Sequence, residues 1–421
     1  MGARAGIVVT GTEVLTGRVA DRNGPWLAEQ LRVHGVDVGQ VIVVGDRPDD
    51  LFGALRFLRG SNVDLIVTSG GLGPTADDLT AEIVGSFQGR PSELDTELER
   101  TIADIIERFS AGRGWRVDDA ATTAAIRKQA MVPVGATALA PVGTAPGLVV
   151  PARDDGPPVV VLPGPPRELR PMWPVAVEHP AIRDALRDRS ELRQRTIRLW
   201  GTAESELAAT MREHPDALRD LEITTCLRDG ELEVVTRFGS GAQSGYDEFE
   251  SLVAATYAST LLSTDGRTID AVVADTLLAR GLTIGTAESC TAGLLAGRLA
   301  DRPGSSAYLL GGLVTYSNEA KHELLGVPTG LIERVGAVSA EVAEAMADGA
   351  RTKIGCDVGV GITGVAGPGG GTPDKPVGLV HFCVVGPRGS AARGVRLPGG
   401  RADVRRRAVV LALHLVREAL G

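Results

Sequence analysis

The residues of this chain whose types and spacing could break a carbonyl bond lie in two short segments. Residues 285–293 read Gly-Thr-Ala-Glu-Ser-Cys-Thr-Ala-Gly, and residues 314–321 read Val-Thr-Tyr-Ser-Asn-Glu-Ala-Lys. The first puts Ser289 where a strand ends and a helix begins, and the second supplies Tyr316 and Lys321. A hydroxyl alone is a poor nucleophile and needs a neighbouring base and donors for the oxyanion that forms on attack. Lys321 can be that base if partial burial drives its proton off well below the usual lysine value of about 10.4. Tyr316 can relay a proton or orient the lysine. Cys290 is a competing nucleophile, because a helix N-terminus favours the thiolate. No histidine near Cys290 in sequence offers itself as its partner. Each residue also has a plain reading: Ser289 as an N-cap, Lys321 as a solvated helix lysine, Tyr316 as a core aromatic.

A second set lies near the N-terminus. Val67-Thr-Ser-Gly-Gly-Leu-Gly-Pro-Thr-Ala-Asp-Asp-Leu-Thr80 is a glycine-rich turn after a strand, opening into a helix. Gly70, Gly71 and Gly73, with Thr75, allow close backbone approach to a phosphate. Asp77 and Asp78 can bind a divalent metal or serve as acidic residues at a helix start. Thr10-Gly11-Thr12-Glu13, Gly45-Asp46 and Gly143–Gly147 can fall on the same sheet edge.

The elements that position these groups divide the chain into three parts. Residues 1–173 alternate apolar runs (Ala5–Thr10, Val36–Val44, Val63–Thr68, Val159–Leu162) with helical patterns, which indicates a parallel, doubly wound sheet with ligands at its carboxyl edge. Residues 174–262 carry short strands at Arg195–Trp200 and Glu231–Arg237 and two helices, a small α+β module that reads as a spacer or dimer-positioning element. Residues 265–421 return to α/β, with strands expected at Thr283–Ala287, Gly311–Tyr316, Val358–Gly361 and Val377–Val385. The expected fold class is α/β, two doubly wound domains joined by the small module.

Composition narrows the function. The net charge of −9 and the absence of clustered basic and aromatic residues argue against direct nucleic-acid contact. No window suits a membrane helix and no N-terminal signal is visible, so a cytoplasmic protein is expected. The four cysteines show no paired spacing and the six histidines form no HExxH.

Two resemblances add to this reading. The first part is similar to the molybdopterin-binding fold of the MogA/MoaB type, with Asp78 at the motif's aspartate position and Asp46 at its second acidic position; Gly11, Thr12, Gly70, Gly71, Gly73 and Thr75 fall in the implied phosphate or nucleotide site. In the last part, Thr286-Ala-Glu-Ser-Cys-Thr, Pro303-Gly-Ser-Ser306, Gly312–Lys321, Gly336-Ala-Val-Ser339, Thr363-Gly-Val-Ala-Gly-Pro368 and Lys375-Pro-Val-Gly378 resemble the CinA C-terminal domain in order and spacing. The whole chain looks like a full-length CinA (competence/damage-inducible) protein, with a KH-like module between its domains. That resemblance implies nicotinamide-nucleotide amidohydrolase activity: nicotinamide mononucleotide (NMN) and water give nicotinate mononucleotide and ammonia. It implies no cofactor for deamidation and a homodimer. Some members also carry ADP-ribose pyrophosphatase activity, for which a divalent metal at Asp77 and Asp78 is expected.

The resemblance carries Ser289, Lys321 and Tyr316 over as catalytic, and Glu288, Cys290, Thr291, Thr363, Gly364, Gly367 and Arg401 as substrate-binding. Glu288 is assigned to the lysine or the ribose, Arg401 to the phosphate, and the Thr363–Gly371 loop to the phosphate or the oxyanion. Two positions depart from the family pattern: Ala292 and Gly400 stand where a glycine and an aspartate are usual. A different class of reading makes the chain a nucleotide- or pterin-binding protein with a regulatory role in competence or DNA damage response. Ammonia release from NMN separates the two.

Overall fold

The computed structural model describes residues 2–111, 119–189, 192–216 and 218–421. They form two compact units, Met1–Arg193 and Gln194–Gly421. No helix among the described residues is long and apolar enough to cross a membrane.

The first unit is built on a six-stranded sheet in the order Asp37–Val44, Arg4–Thr10, Leu65–Ser69, Val159–Leu162, Gly147–Val150, Thr137–Leu139. Alternation places Ile7 and Val9 in one buried cluster with Leu27, Leu31 and Trp173, and Val8 and Ile66 in another with Leu55, Leu58 and Phe87. Both faces are therefore covered, as expected of a doubly wound sheet. The all-parallel expectation holds for the first four strands. It fails for the last two, which run antiparallel because a short return between Val150 and Val159 needs no crossover helix. The expected boundary after residue 173 also moves. Helices Pro166–Val177 and Pro180–Ala185 each begin with proline in the first turn, and their Trp173, Ala176, Val177 and Ile182 complete the core around Ile7. Pro163-Gly164-Pro165-Pro166, a strand-to-helix break by sequence, starts the unit's last layer.

The second unit holds two sheets. The α+β module is a four-stranded sheet in the order Leu221–Arg228, Glu231–Gly239, Leu192–Trp200, Leu261–Ser263, with Leu207, Phe249 and Val253 from helices Glu204–Glu213 and Gln243–Thr256 in its core. The other sheet runs Leu309–Val314, Ile284–Glu288, Val358–Gly364, Leu379–Gly386, Gly389–Arg396. Its first three strands are parallel and its last two antiparallel. Ile284, Val358, Val360 and Ile362 pack against helices Ile269–Arg280 and Arg401–Leu420, while Ala287 packs on the opposite side with Val342 and Met346 of helix Ala340–Ile354.

The module is not a free spacer. The last helix sends His414, fully buried, against Glu231 (Nε2 to Oε1 2.8 Å), with its ring stacked on Trp200 at 3.8 Å. Arg406 pairs with Asp229, and Arg417 donates to the Leu261 carbonyl. Burial holds His414 below the usual histidine range, offset in part by Glu231.

Helix Ala340–Ile354 lies so close to the central strand that side chains on that strand's helix-facing positions are excluded. A Cβ at Gly361 would stand 2.1 Å from the Ala343 carbonyl oxygen, and one at Gly359 2.1 Å from that of Ala347. Gly297, in the exposed middle of helix Leu294–Ala300, would meet nothing within 4 Å. Gly361→Ala is therefore expected to cost about 1–3 kcal/mol, and Gly297→Ala to add about 0.5–1 kcal/mol. Chemical denaturation of the two variants checks the pair; equal effects would contradict the close approach.

Candidate active site

Strand Ile284–Glu288 delivers its last residue to the carboxyl edge of the sheet, and the turn that follows places Ser289 there, 8% exposed. Its N–H donates to the Ile362 carbonyl at 2.9 Å, which extends the ladder by one bond and fixes the backbone. The neighbouring parallel strand Leu309–Val314 ends beside it, and helix Asn318–Leu325, capped by the Ser317 hydroxyl, turns Lys321 inward. Lys321 is 1% exposed and its Nζ lies 3.1 Å from Ser289 Oγ. Nζ also donates to the carbonyls of Thr315 at 2.9 Å and Tyr316 at 3.5 Å.

Two carbonyls thus take two of the amine's hydrogens, and the remaining position faces the serine hydroxyl. No carboxylate is among these partners, so no ion pair holds the charged form, and burial outweighs what the carbonyls and Cys290 return to it. Burial holds the Lys321 pKa below the usual lysine range. An amine that has lost its proton can accept the Ser289 O–H.

Cys290, next to the serine, is buried with its thiol pushed up to about 11, first by burial. A buried protonated thiol is a poor nucleophile, so the choice between Ser289 and Cys290 falls to the serine. Neither Cys290 nor Thr291 presents a side chain to solvent, which leaves their main-chain groups as what they can offer a ligand. The place of Glu288 is corrected. It is fully buried, and its carboxylate accepts from the N–H groups of Gly293, Leu295 and Ala296 at 3.0, 3.1 and 2.8 Å. It caps the start of helix Leu294–Ala300 and does not touch Lys321.

The Tyr316 hydroxyl is not in the dyad. The side chain is 55% exposed, and its OH accepts from Arg401 Nη2 at 2.7 Å. Tyr316 therefore orients the lysine through its carbonyl, and the expected proton relay through the hydroxyl is not formed. Arg401 also donates from Nη1 to the Gly367 carbonyl at 2.9 Å, which ties the Thr363–Gly371 loop to Tyr316. The structure brings Arg401, Gly367 and Tyr316 together despite the glycine at 400, whose N–H is held by Asp403. Thr363 turns its hydroxyl to the Ala337 carbonyl at 2.7 Å, and Gly364 sits in the strand, where a Cβ would meet the Leu379 carbonyl oxygen at 2.7 Å. Both contacts shape the loop.

Arg405 escapes the sequence reading. It lies one helical turn beyond Arg401, and its Nε and Nη2 donate at 3.0 Å each to the carbonyls of Cys290 and Thr291. The spacing of four was the available signal.

In the first unit, the expected residues do share one sheet edge. Asp46 accepts from the Thr12 N–H at 2.8 Å, and the Asp46 N–H donates to the Thr12 hydroxyl at 3.2 Å, which joins the loop at Gly11 to Gly45-Asp46. Gly70 has φ +108°, and a Cβ there would stand 2.4 Å from the Thr10 carbonyl oxygen; at Gly73 it would stand 2.4 Å from Asp78 Oδ2. Gly71 has φ +67° and closes on Thr80. The two acidic residues are drawn onto Thr75. Asp77 Oδ1 and Asp78 Oδ2 both accept from the Thr75 hydroxyl, Asp78 also from the Thr75 N–H, and Lys128 Nζ donates to the Thr75 carbonyl. The Thr75 hydrogen bond holds the Asp77 carboxyl below its usual range. Among the described residues no group of three or more His, Cys, Asp or Glu is placed to hold a metal ion. Any metal at Asp77 and Asp78 would have to take its remaining ligands from a bound phosphate and water.

Residues 266–420 match the family described as CinA C-terminal domain, and residues 6–184 the family described as probable molybdopterin binding domain. A "CinA-like protein" of Mycolicibacterium vanbaalenii is 56% identical over 424 residues, covering 100% of this chain and 99% of its own length. The chain belongs to the CinA family. A second CinA-like protein, from Mycobacterium tuberculosis, is 53% identical over 426 residues, covering 100% of this chain and 98% of its own. A solved structure described as competence/damage inducible protein CihA, from Agrobacterium tumefaciens, is 38% identical and covers 38% of this chain and 100% of its own, with a TM-score of 0.36.

As a CinA chain, this one departs from the family's resemblance pattern at Ala292, and the structure gives that departure a cost. Ala292 has φ +51°, a left-handed conformation that glycine adopts freely and alanine does not. The turn is closed by the Ala292 N–H to the Ser289 carbonyl at 3.1 Å, so the strain sits in the segment that presents the nucleophile. Ala292→Gly is expected to raise stability by about 0.5–1 kcal/mol, since relief of the left-handed strain exceeds the entropy that glycine adds to the unfolded chain. A melting temperature unchanged or lowered in that variant would contradict the strained turn.

Proposed function

We propose that this CinA-family chain is a nicotinamide-nucleotide amidohydrolase, with Ser289 as nucleophile and Lys321 as base. The observation that carries the proposal is the buried 3.1 Å contact between Lys321 Nζ and Ser289 Oγ with no carboxylate beside the amine. In the first half-reaction Oγ bonds to the carboxamide carbon of NMN and its proton passes to Nζ. The tetrahedral intermediate collapses, the C–N bond breaks, and Lys321 returns the proton to the leaving ammonia. In the second half, water attacks the nicotinoyl ester with Lys321 again taking a proton. Ser289 is then released by the proton that Lys321 gives back, and nicotinate mononucleotide leaves.

The oxyanion needs N–H donors that are not already engaged. The N–H groups of Cys290 and Thr291 donate to no backbone acceptor among the described residues. They follow the nucleophile directly, where acyl-transfer turns commonly supply such donors. Arg401, at the start of the last helix and beside Gly367, is suited to the substrate phosphate. Deamidation by this route uses no metal. The first unit, with its glycine-lined edge at Gly70–Gly73, is read as a binding domain for a phosphate-bearing nucleotide or pterin. Its geometry gives no support to metal-dependent ADP-ribose cleavage at Asp77 and Asp78.

Ammonia release from NMN by the purified chain tests the reading. Ser289→Ala is expected to abolish it with the melt unchanged, and Lys321→Ala to lower kcat at least about a hundredfold. Full activity in either variant would contradict the dyad.

The pH profile follows from the sign of the lysine shift. A lowered pKa leaves the neutral amine present below the ordinary lysine range, so kcat rises with pH and levels off before that range is reached. A profile still rising through the usual lysine pKa of about 10.4 would contradict a depressed base. A chelator is expected to leave ammonia release unchanged, and its loss on chelation would exclude the metal-free route.

A further inference from the structure

The last helix makes two contacts with the site, one turn apart, and only the first has an evident ligand role. Arg405 is the second. Its guanidinium donates from Nε to the Cys290 carbonyl and from Nη2 to the Thr291 carbonyl, both at 3.0 Å. These are consecutive peptide groups, bracketed by a single planar fork, in the turn that carries Ser289. The same turn holds Ala292 at φ +51° and is closed by the Ala292 N–H on the Ser289 carbonyl and the Leu294 N–H on the Thr291 carbonyl. The neighbouring arginines do other work: Arg406 pairs with Asp229 and Asp403, and Arg407 lies 3.7 Å from Asp229. No carboxylate is recorded as a partner of Arg405, so its charge-assisted bonds go to main-chain oxygens.

We propose that Arg405 is a positioning residue for the serine reaction, acting through the nucleophile's turn; this rests on the reading of Ser289 as nucleophile. Two physical effects follow from the contact. The fork locks both peptide planes, so the strained turn cannot relax by rotating the Cys290–Thr291 peptide. The Cys290–Thr291 bond is trans, the chain's one cis bond among the described residues being Gly367–Pro368. A trans peptide sends its N–H opposite to its C=O, so the guanidinium on the Cys290 oxygen directs the Thr291 N–H away from itself. The cation also polarises that peptide and strengthens the N–H as a donor to an oxyanion. Arg405 touches neither substrate nor Oγ; it sets where the oxyanion donor points.

The test uses the full chain and two readouts. One is kcat and KM for ammonia release from NMN. The other is the rate at which an alkyl fluorophosphonate labels Ser289: Oγ bonds to phosphorus, fluoride leaves, Lys321 takes the proton, and the phosphoryl oxygen needs the same donors. Arg405→Ala is expected to lower kcat and the labelling rate by roughly tenfold to a hundredfold, with KM within roughly threefold of wild type. Added guanidinium ion should restore part of both. Arg405→Lys, which keeps the charge but not the fork, should fall between. Arg393→Ala, which removes an arginine paired with Glu418, should match wild type.

Wild-type labelling in Arg405→Ala overturns the proposal even if deamidation is robust. Loss of labelling in step with a lowered melting temperature, with no guanidinium rescue, assigns Arg405 to folding alone and also overturns it. A wild type never labelled at Ser289 overturns both this role and the serine reading. A wild type labelled in an Arg405-dependent way that releases no ammonia upholds Arg405 and removes NMN as the substrate.

Discussion

Taking an ammonium out of water costs several kcal/mol unless the group is paired or gives up its proton. Lys321 has been taken out of water, with its Nζ against two carbonyls and a hydroxyl and no counter-charge among those partners. The arrangement makes sense if the neutral amine is the working form. The rest of the C-terminal domain can be read as what that burial requires. The strand Leu309–Val314 and the Ser317 cap aim the lysine, the parallel strand beside it aims the serine, and helix Ala340–Ile354 presses onto glycines so that the sheet beneath them stays rigid.

The last helix is the second constraint. Its first turns hold Gly367, Tyr316 and the carbonyls after Ser289, and its far end carries His414 onto Glu231 and Trp200 of the α+β module. One rigid element therefore spans the site and the module, and both fall in the same compact unit. The buried His414–Glu231 pair and the arginine bonds to Asp229 explain why the module stays with this domain rather than hanging between two.

Much of the site could be read before the structure because its signals are local. A serine in a strand-to-helix turn and a lysine on the following helix need only adjacent parallel strands to meet, and the α/β pattern promised those. What was hidden depends on long-range docking. Arg405 looks like any arginine on a polar helix face until the helix is placed against the nucleophile's turn. Glu288 reads as a partner of the lysine or the ribose by its position beside Ser289, yet its oxygens are consumed by the next helix's N–H groups. Asp77 and Asp78 read as metal ligands by type, and their draw toward a threonine two and three residues earlier shows only in the folded loop. A boundary near 173 depends on the same kind of docking, since only packing tells whether a helix belongs to the core already built.

Lys321 acts as a neutral amine when the serine reacts, and its protonation is open to direct measurement. The chain contains only four lysines, Lys128, Lys321, Lys353 and Lys375. A pH titration of the lysine side-chain resonances by NMR, with Lys321 assigned by its loss in Lys321→Ala, reads each amine separately. The account predicts one resonance, that of Lys321, titrating clearly below the ordinary lysine pKa of about 10.4. If Lys321 titrates at or above that value, it is a charged hydrogen-bond donor to Ser289, and the base of the proposed reaction must be sought elsewhere.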